Sequence, residues 1–142
     1  MADVVLVTAG QLRVEESLEQ MTLPAGVAIA AGQSVLQDGT TGKWALSDAN
    51  AAGTTPAYGM AVKTVPAGMA VTAIRRGVIE GFVLTDQDYG EQIFLSDTEG
   101  GIADAAGSTS SVIGEVIAVH SHLLGGVPDK LLRVDYAREV AV

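Results

Sequence analysis

The sequence predicts an all-β fold, either a compact β-sandwich or a small β-barrel, and three observations lead to this prediction. Glycine recurs every few residues from Pro24 onward, and the segments between the glycines are short and rich in β-branched residues. One block of the chain is also approximately repeated. Short apolar segments bounded by glycine are typical of strands joined by tight turns. At 142 residues, the chain has the size of one domain.

The predicted turns are rich in residues that accept a positive φ angle or preset a turn. Strands are expected between them, for example at Trp44-Ala-Leu-Ser and Val71-Thr-Ala-Ile-Arg. The turns are Gln37–Gly42, Val65–Gly68, Asp97–Gly101 and Leu124–Pro128.

The internal repeat aligns Gly32–Gly42 with Gly90–Gly100, since both blocks contain a glycine, two polar residues, two apolar residues and a turn that ends on glycine. An Asp-Ala pair follows each block, at Asp48 and Asp104, and then comes a strand with a glycine near its start. Each unit would leave one apolar face uncovered, so packing the two faces together would bury both. We therefore expect an approximate twofold arrangement. The alternative is that two glycine-rich stretches align by chance.

Residues 1–22 differ in composition from residues 23–142, and we expect an N-terminal arm followed by a β-rich domain. The stretch Val4, Val5, Leu6 and Val7 can form a strand, whereas the apolar residues that follow are too irregularly spaced for a stable helix. The arm is expected to be extended or partly helical and to become ordered on a neighbouring surface. The apolar residues of its second part are Leu12, Val14, Leu18 and Met21.

Composition and charge exclude several classes of function. The net charge is −9, with 17 acidic and 8 basic residues, which disfavours binding to a nucleic acid backbone. The chain contains no cysteine, so it has no disulfide and no thiolate ligand or nucleophile. The N-terminus lacks the pattern of a signal peptide, and no stretch has 18 uninterrupted apolar residues, so no contact with a membrane is expected.

Candidate catalytic and metal sites are weak. His120 and His122 would lie on one face of a strand, but a zinc site would need a third ligand such as Glu115 or Asp135, and surface or interface histidines are the favoured alternative. The acid pairs Asp86/Asp88 and Asp97/Glu99 suit turns better than a calcium loop. The stretch Ser108–Ser111 has no Gly-x-Ser-x-Gly motif around it. We therefore expect no catalytic residue, no metal, no cofactor and no enzymatic activity.

Four residues are candidates for an interface. Arg75 and Arg76 form the main cationic spot of an acidic chain and suit acidic groups on a partner, although they would equally well lie on opposite faces of one strand end. Aromatic side chains such as Trp44 and Tyr58 belong mostly in a core, but an exposed one would be an interface anchor.

Six short motifs of turn and strand residues extend from about residue 22 to residue 136. They are Thr22-Leu-Pro-Ala-Gly26, Ala31-Gly-Gln-Ser-Val35, Tyr58-Gly-Met-Ala, Ala73-Ile-Arg-Arg-Gly-Val78, Tyr89-Gly-Glu-Gln-Ile-Phe-Leu-Ser-Asp97 and Asp129-Lys-Leu-Leu-Arg-Val-Asp135. In these motifs the chain resembles the head decoration proteins, or capsid cement proteins, of tailed bacteriophages.

This resemblance implies a β-rich module, which we expect to be sandwich-like or β-tulip-like, that binds the exterior of an expanded phage capsid. It further implies a homotrimer that clamps adjacent subunits of the major capsid protein, in virions assembled in the host cytoplasm. An N-terminal arm would contact the shell, here through Val4–Val7, Leu12, Val14 and Leu18. The alternative function is a carbohydrate- or receptor-binding β-domain of a virion appendage. A metal-assisted hydrolase is a third and weaker alternative.

Overall fold

The computed structural model describes residues 2–8, 10–50, 57–119 and 129–137, and these residues form ten strands. No helix occurs among them, so the all-β prediction is confirmed. The strands are β1 (Asp3–Val4), β2 (Arg13–Pro24), β3 (Ser34–Gln37), β4 (Trp44–Leu46), β5 (Gly59–Ala61), β6 (Ala70–Glu80), β7 (Gln92–Leu95), β8 (Ile102–Ala103), β9 (Val112–Val119) and β10 (Asp129–Asp135).

All ten strands belong to one open antiparallel sheet, which is compatible with a sandwich. The order along the sheet is β1-β8-β7-β9-β10-β6-β5-β3-β4, and β2 pairs with β6 outside this path. Strand β6 is the hub of the sheet because it pairs with three others, namely β2, β5 and β10.

The strand order explains the internal repeat seen in the sequence. The first copy contributes β4-β3-β5-β6 and the second contributes β8-β7-β9-β10, so the two copies have the same internal order. They meet at the antiparallel pair of β6 and β10, about which the order is symmetric. Each copy is therefore a hairpin followed by two further strands.

Strand register supports the equivalence of the two copies residue by residue. Aligning Gly32 with Gly90 makes Val35 equivalent to Ile93. Val35 pairs with Gly59 in the first copy and Ile93 pairs with Gly114 in the second. The chance explanation for the repeat does not account for this agreement.

The same register continues into the last strand of each copy. Met60 pairs with Ile74 in the first copy, and the equivalent Glu115 pairs with Arg133 in the second. Two residues further along each strand, the equivalent residues are Arg76 and Asp135. These two residues pair with each other between β6 and β10, which places them at the centre of the symmetric arrangement.

The core consists of two clusters of unequal size. The larger cluster is formed mainly by strands of the second copy and includes Ile93, Leu95, Val116 and Leu132. The smaller cluster lies within the first copy, around the fully buried Trp44. Its other members are Ala25, Ile29, Val35, Ala61, Val65, Val71 and Ala73.

The N-terminal segment lies on the sheet of its own chain. Strand β1 pairs with β8, and β2 pairs with β6 from Arg13 to Pro24, with bulges on the way. This strand runs across the expected boundary between residues 22 and 23. The segment is extended rather than partly helical, since pairing with β6 satisfies its backbone groups.

One buried hydrogen bond connects the two copies across the sheet. The hydroxyl groups of Ser34 in β3 and Tyr136 after β10 lie 2.8 Å apart. Burial raises the pKa of the Tyr136 hydroxyl well above its ordinary value, and the hydrogen bond to Ser34 opposes this effect only in part. The neutral form of Tyr136 is therefore favoured by folding.

This pKa direction predicts a loss of stability at alkaline pH. The unfolded chain loses the Tyr136 proton near pH 10, about its ordinary pKa, whereas the folded chain keeps it to higher pH. Stability is therefore full below pH 10 and falls above it, by about 1.4 kcal/mol per pH unit for this one group. Tyr136→Phe should make the fall less steep, as measured by urea denaturation between pH 8 and pH 11.

The matched control for this experiment is Tyr89→Phe, whose ring is 42% exposed. Above pH 10 its stability should fall more steeply than that of Tyr136→Phe, because it retains the buried Tyr136. Some slope should remain in Tyr136→Phe, because burial and the nearby Glu19 also raise the pKa of Tyr58. Equal slopes for Tyr136→Phe and the unmodified protein would contradict the prediction.

Candidate interaction surfaces

The stretch Val4–Val7, predicted to contact a capsid, alternates between the core and the surface. Val4 is 7% exposed and belongs to the larger core cluster, and Leu6 packs against the same cluster. Val5 and Val7 are 58% and 71% exposed. The expectation that all four contact a partner therefore needs a correction at Val4 and Leu6, because successive side chains of an extended segment point to opposite sides.

The exposed half of this stretch forms an apolar surface, which we call the N-terminal strip and which consists of Val5, Val7 and Val83. The backbone N–H of Val83 donates to the carbonyl of Val5 at 2.8 Å, and that of Val7 donates to the carbonyl of Gly81 at 2.7 Å. Val83 is 39% exposed. These bonds hold the strip in place beside the end of β6.

The apolar residues in the second part of the predicted arm divide in the same way. Leu12 and Val14 are partly buried against the larger cluster. Leu18, in the middle of β2, is 64% exposed. Of the predicted arm residues, Val5, Val7 and Leu18 therefore remain accessible to a partner.

Trp44 is not an interface residue in this structure, which corrects the prediction. Its side chain is completely buried, and its indole N–H donates to the carbonyl of Val71 at 2.8 Å. Tyr58 covers it, with ring centroids 5.3 Å apart and planes tilted by 39°. The smaller cluster needs a large apolar centre, and Trp44 is the largest side chain available to fill it.

Arg75 and Arg76 lie next to each other in β6, at an irregularity in its pairing with β2. The Arg75 guanidinium lies 4.8 Å from the centre of the Tyr58 ring, donates to the Tyr58 carbonyl at 3.0 Å and lies 3.8 Å from Glu19. Arg76 forms an ion pair of 3.7 Å with Asp135. Each arginine therefore already has an acidic partner within the chain.

A shallow groove surrounds the centre of the symmetric arrangement and has a volume of about 370 Å³. Its charged residues are largely paired with one another, Arg76 with Asp135 and Arg133 with Glu115. Such mutual pairing leaves the groove little unmatched charge for a ligand. Its lining comes from β2, β6, β9 and β10.

A second exposed apolar surface, which no sequence motif predicts, lies at the other end of β6. We call it the tip, and it consists of Val27, Ala28, Pro66, Ala67 and Met69. Val27 is 44% exposed and Met69 is 52% exposed. The turn at Val65–Gly68 was predicted, but no signal in the sequence indicates that Met69 faces outward while Val65 and Val71 are buried.

The candidate catalytic and metal residues do not assemble into a site in the part of the chain that the structure describes. No group of three or more potential ligands occurs among the described residues. The carboxylate of Asp97 accepts hydrogen bonds from the backbone and hydroxyl of Ser108, so it orders a loop. His120 and His122 lie outside the described residues.

We compared the chain with family models, with curated proteins and with solved structures. None of the three comparisons found a match. Among the described residues, no helix has the length and apolar character needed to cross a membrane. Function is therefore inferred from the two exposed apolar surfaces, the charge distribution and the resemblance described above.

Proposed function

We propose that this chain is a structural virion protein that binds the outside of a phage capsid and stabilises it by clamping adjacent subunits of the major capsid protein. It would act as a homotrimer, joining virions that assemble in the host cytoplasm. It performs no catalysis and needs no cofactor. The observation that carries the proposal is the N-terminal strip, together with Leu18, in the segment that the resemblance assigns to shell contact.

The strip has the chemistry of a protein contact. Val5 and Val7 are among the most exposed large apolar residues of the described chain, and exposed apolar side chains that lie together mark interaction sites. Burying them would favour association by about 25 cal/mol for each Å² of apolar surface removed from water. A modest gain per copy is sufficient when a trimer makes several contacts at once.

The fold also suits a protein that must resist force. Backbone pairing connects both copies of the repeat in one sheet, and the Ser34–Tyr136 hydrogen bond joins them a second time. Many non-local strand pairs must break together before such a sheet opens. The module can therefore hold neighbouring subunits at a fixed separation.

Substitution of the strip tests the proposal. The double variant Val5→Glu/Val7→Glu should keep its fold, because both side chains are exposed, and should no longer sediment with undecorated, expanded shells of the phage that encodes the chain. Tyr89→Glu adds a charge at an exposed residue away from the strip and should sediment like the unmodified protein. An unmodified protein that stays in the supernatant at every concentration would reject the proposal.

Substitution is preferable to deletion of residues 1–21 for this test. The deletion would remove β1 and most of β2, and with them seven of the ten residue pairs between β2 and β6. Val4 would also leave the larger core cluster. We expect the deleted chain to unfold at a lower urea concentration than the unmodified chain, so loss of binding would not report on the contact alone.

One observation favours the alternative function, a carbohydrate- or receptor-binding domain. Tyr89 is 42% exposed in a loop with Asp86, Asp88 and Glu91, and exposed aromatic rings beside carboxylates are common in sugar sites. The Lys130 ammonium lies 5.1 Å from the centre of the ring, however, so one face of the ring already has a partner. A glycan array without hits would reject this alternative.

A further inference from the structure

The tip is held rigidly by backbone hydrogen bonds between two loops. The N–H of Ala25 donates to the carbonyl of Met69 at 2.9 Å, and the N–H of Gly68 donates to the carbonyl of Ala25 at 2.8 Å. Ile29 and Val65 exchange two more bonds, of 3.0 and 2.8 Å. The side chains of Val27 and Met69 are therefore presented on an ordered backbone, and binding through them requires little further ordering.

The tip lies in a part of the chain that has almost no negative charge. Residues 20–37 contain no charged residue, and residues 49–79 contain no carboxylate. The cations closest to the tip along the chain are Lys63, three residues before Pro66, and Lys43, whose Cβ lies near Gly26. Asp38, in the turn that precedes Lys43, is an acidic residue of this part of the chain. Its carboxylate already accepts hydrogen bonds from the backbone N–H groups of Thr40 and Thr41 within that turn.

The two copies of the repeat differ in charge, although they share a topology. Residues 25–79 contain two carboxylates and four cations, whereas residues 80–137 contain ten carboxylates and two cations. The resulting field orients the molecule as it approaches a charged surface. An acidic surface would attract the tip and repel the second copy.

The tip and the N-terminal strip lie at opposite ends of β6. The tip precedes Ala70, the first residue of this strand, and the strip is bonded to Gly81, immediately after its last residue. Eleven strand residues span roughly 30 Å. A protein that clamps two neighbouring subunits needs two separate contact surfaces, and the strip supplies only one of them.

We propose that the tip is the second contact of the clamp, and that it binds a neighbouring capsid subunit at a surface with an apolar centre bordered by carboxylates. This inference rests on the proposed function. Val27 and Met69 would enter the apolar centre, while Lys43 and Lys63 would lie near the carboxylates. The excess of acids on the second copy would then keep that half away from the shell.

A pair of substitutions at Met69 tests both the site and the charge of its partner. Met69→Glu and Met69→Lys remove similar apolar area from an exposed position but introduce opposite charges. We expect Met69→Glu to bind undecorated shells about 100-fold more weakly than the unmodified protein. The variant would keep only one of the two contacts of the clamp, the N-terminal strip. Met69→Lys should bind much more tightly than Met69→Glu, and Tyr89→Glu should bind like the unmodified protein.

A labelling experiment provides a second measurement that does not depend on a charged variant folding. Because the chain has no cysteine, a single introduced thiol can be labelled uniquely. Ala67→Cys places the thiol on the tip, and Ser110→Cys places it on an exposed loop of the second copy. Addition of shells should abolish maleimide labelling at residue 67 but not at residue 110.

Each outcome has a separate meaning. If the unmodified protein binds shells and Val5→Glu/Val7→Glu does not, while Met69→Glu binds normally and residue 67 remains labelled, the tip inference is wrong and the proposed function stands. If Met69→Glu and Met69→Lys lose binding equally, the partner surface is not acidic. An unmodified protein that does not bind shells would overturn both proposals.

Discussion

Replacement of Gly114 with alanine is expected to lower the free energy of unfolding by about 3 kcal/mol. Gly114 lies in β9 against β10, and a Cβ atom at this position would overlap the carbonyl oxygen of Arg133. The obstacle is backbone of the neighbouring strand, so no side-chain rotation can relieve the overlap. The two strands would have to move apart, which weakens the pairing at the centre of the second copy. Urea denaturation followed by Trp44 fluorescence measures the loss.

The equivalent glycine of the first copy should respond in the same way. A Cβ atom at Gly59 would lie 2.5 Å from the carbonyl oxygen of Ile74, and Ile74 is the residue equivalent to Arg133. The matched control is Gly39→Ala, since a Cβ there would have no atom within 4 Å. Gly39→Ala should leave stability unchanged or raise it slightly. A Gly114→Ala variant as stable as Gly39→Ala would contradict the close approach of β9 and β10.

Replacement of Trp44 with alanine is expected to cost about 3 to 5 kcal/mol. The side chain is fully buried at the centre of the smaller cluster, so its removal leaves a cavity that the surrounding strands fill only partly. The carbonyl of Val71 also loses its hydrogen-bond donor, and Tyr58 loses the ring on which it packs. Far-UV circular dichroism in urea measures the change, because the variant has no tryptophan.

Trp44→Phe separates the two contributions to this loss. It keeps most of the apolar volume and removes the indole N–H, so it should cost less than Trp44→Ala but more than the exposed control Tyr89→Ala. If Trp44→Ala cost less than about 1 kcal/mol, the residue would not be the centre of a core. The same result would restore Trp44 as a candidate interface residue.

The consequence for function concerns the tip, since the smaller cluster lies directly beneath it. Ala25, Ile29 and Val65 belong to this cluster and also supply the backbone bonds that hold the two loops together. Loss of Trp44 should therefore loosen the tip as well as the fold. The N-terminal strip lies at the other end of β6, on a segment whose Val4 and Leu6 contact the larger cluster, and it should be affected less.

The fold class and the internal repeat could be predicted from the amino-acid sequence alone. Both are local properties, because short β-branched segments between glycines specify strands and turns wherever they lie in space. The alignment of Gly32 with Gly90 was sufficient to identify equivalent residues, and strand register supports the same equivalence between Val35 and Ile93.

The identity of the apolar side chains that remain accessible depends instead on how the strands and loops pack in three dimensions. Val4 and Val5 are chemically alike, yet pairing of β1 with β8 buries the first and leaves the second exposed. The sequence makes Trp44 a candidate interface residue, but in the folded chain its ring lies beneath Tyr58. Met69 and Val27 come together only because two loops separated by about 40 residues are bonded to each other. Such exposure depends on contacts between distant parts of the chain, and composition and spacing do not contain that information.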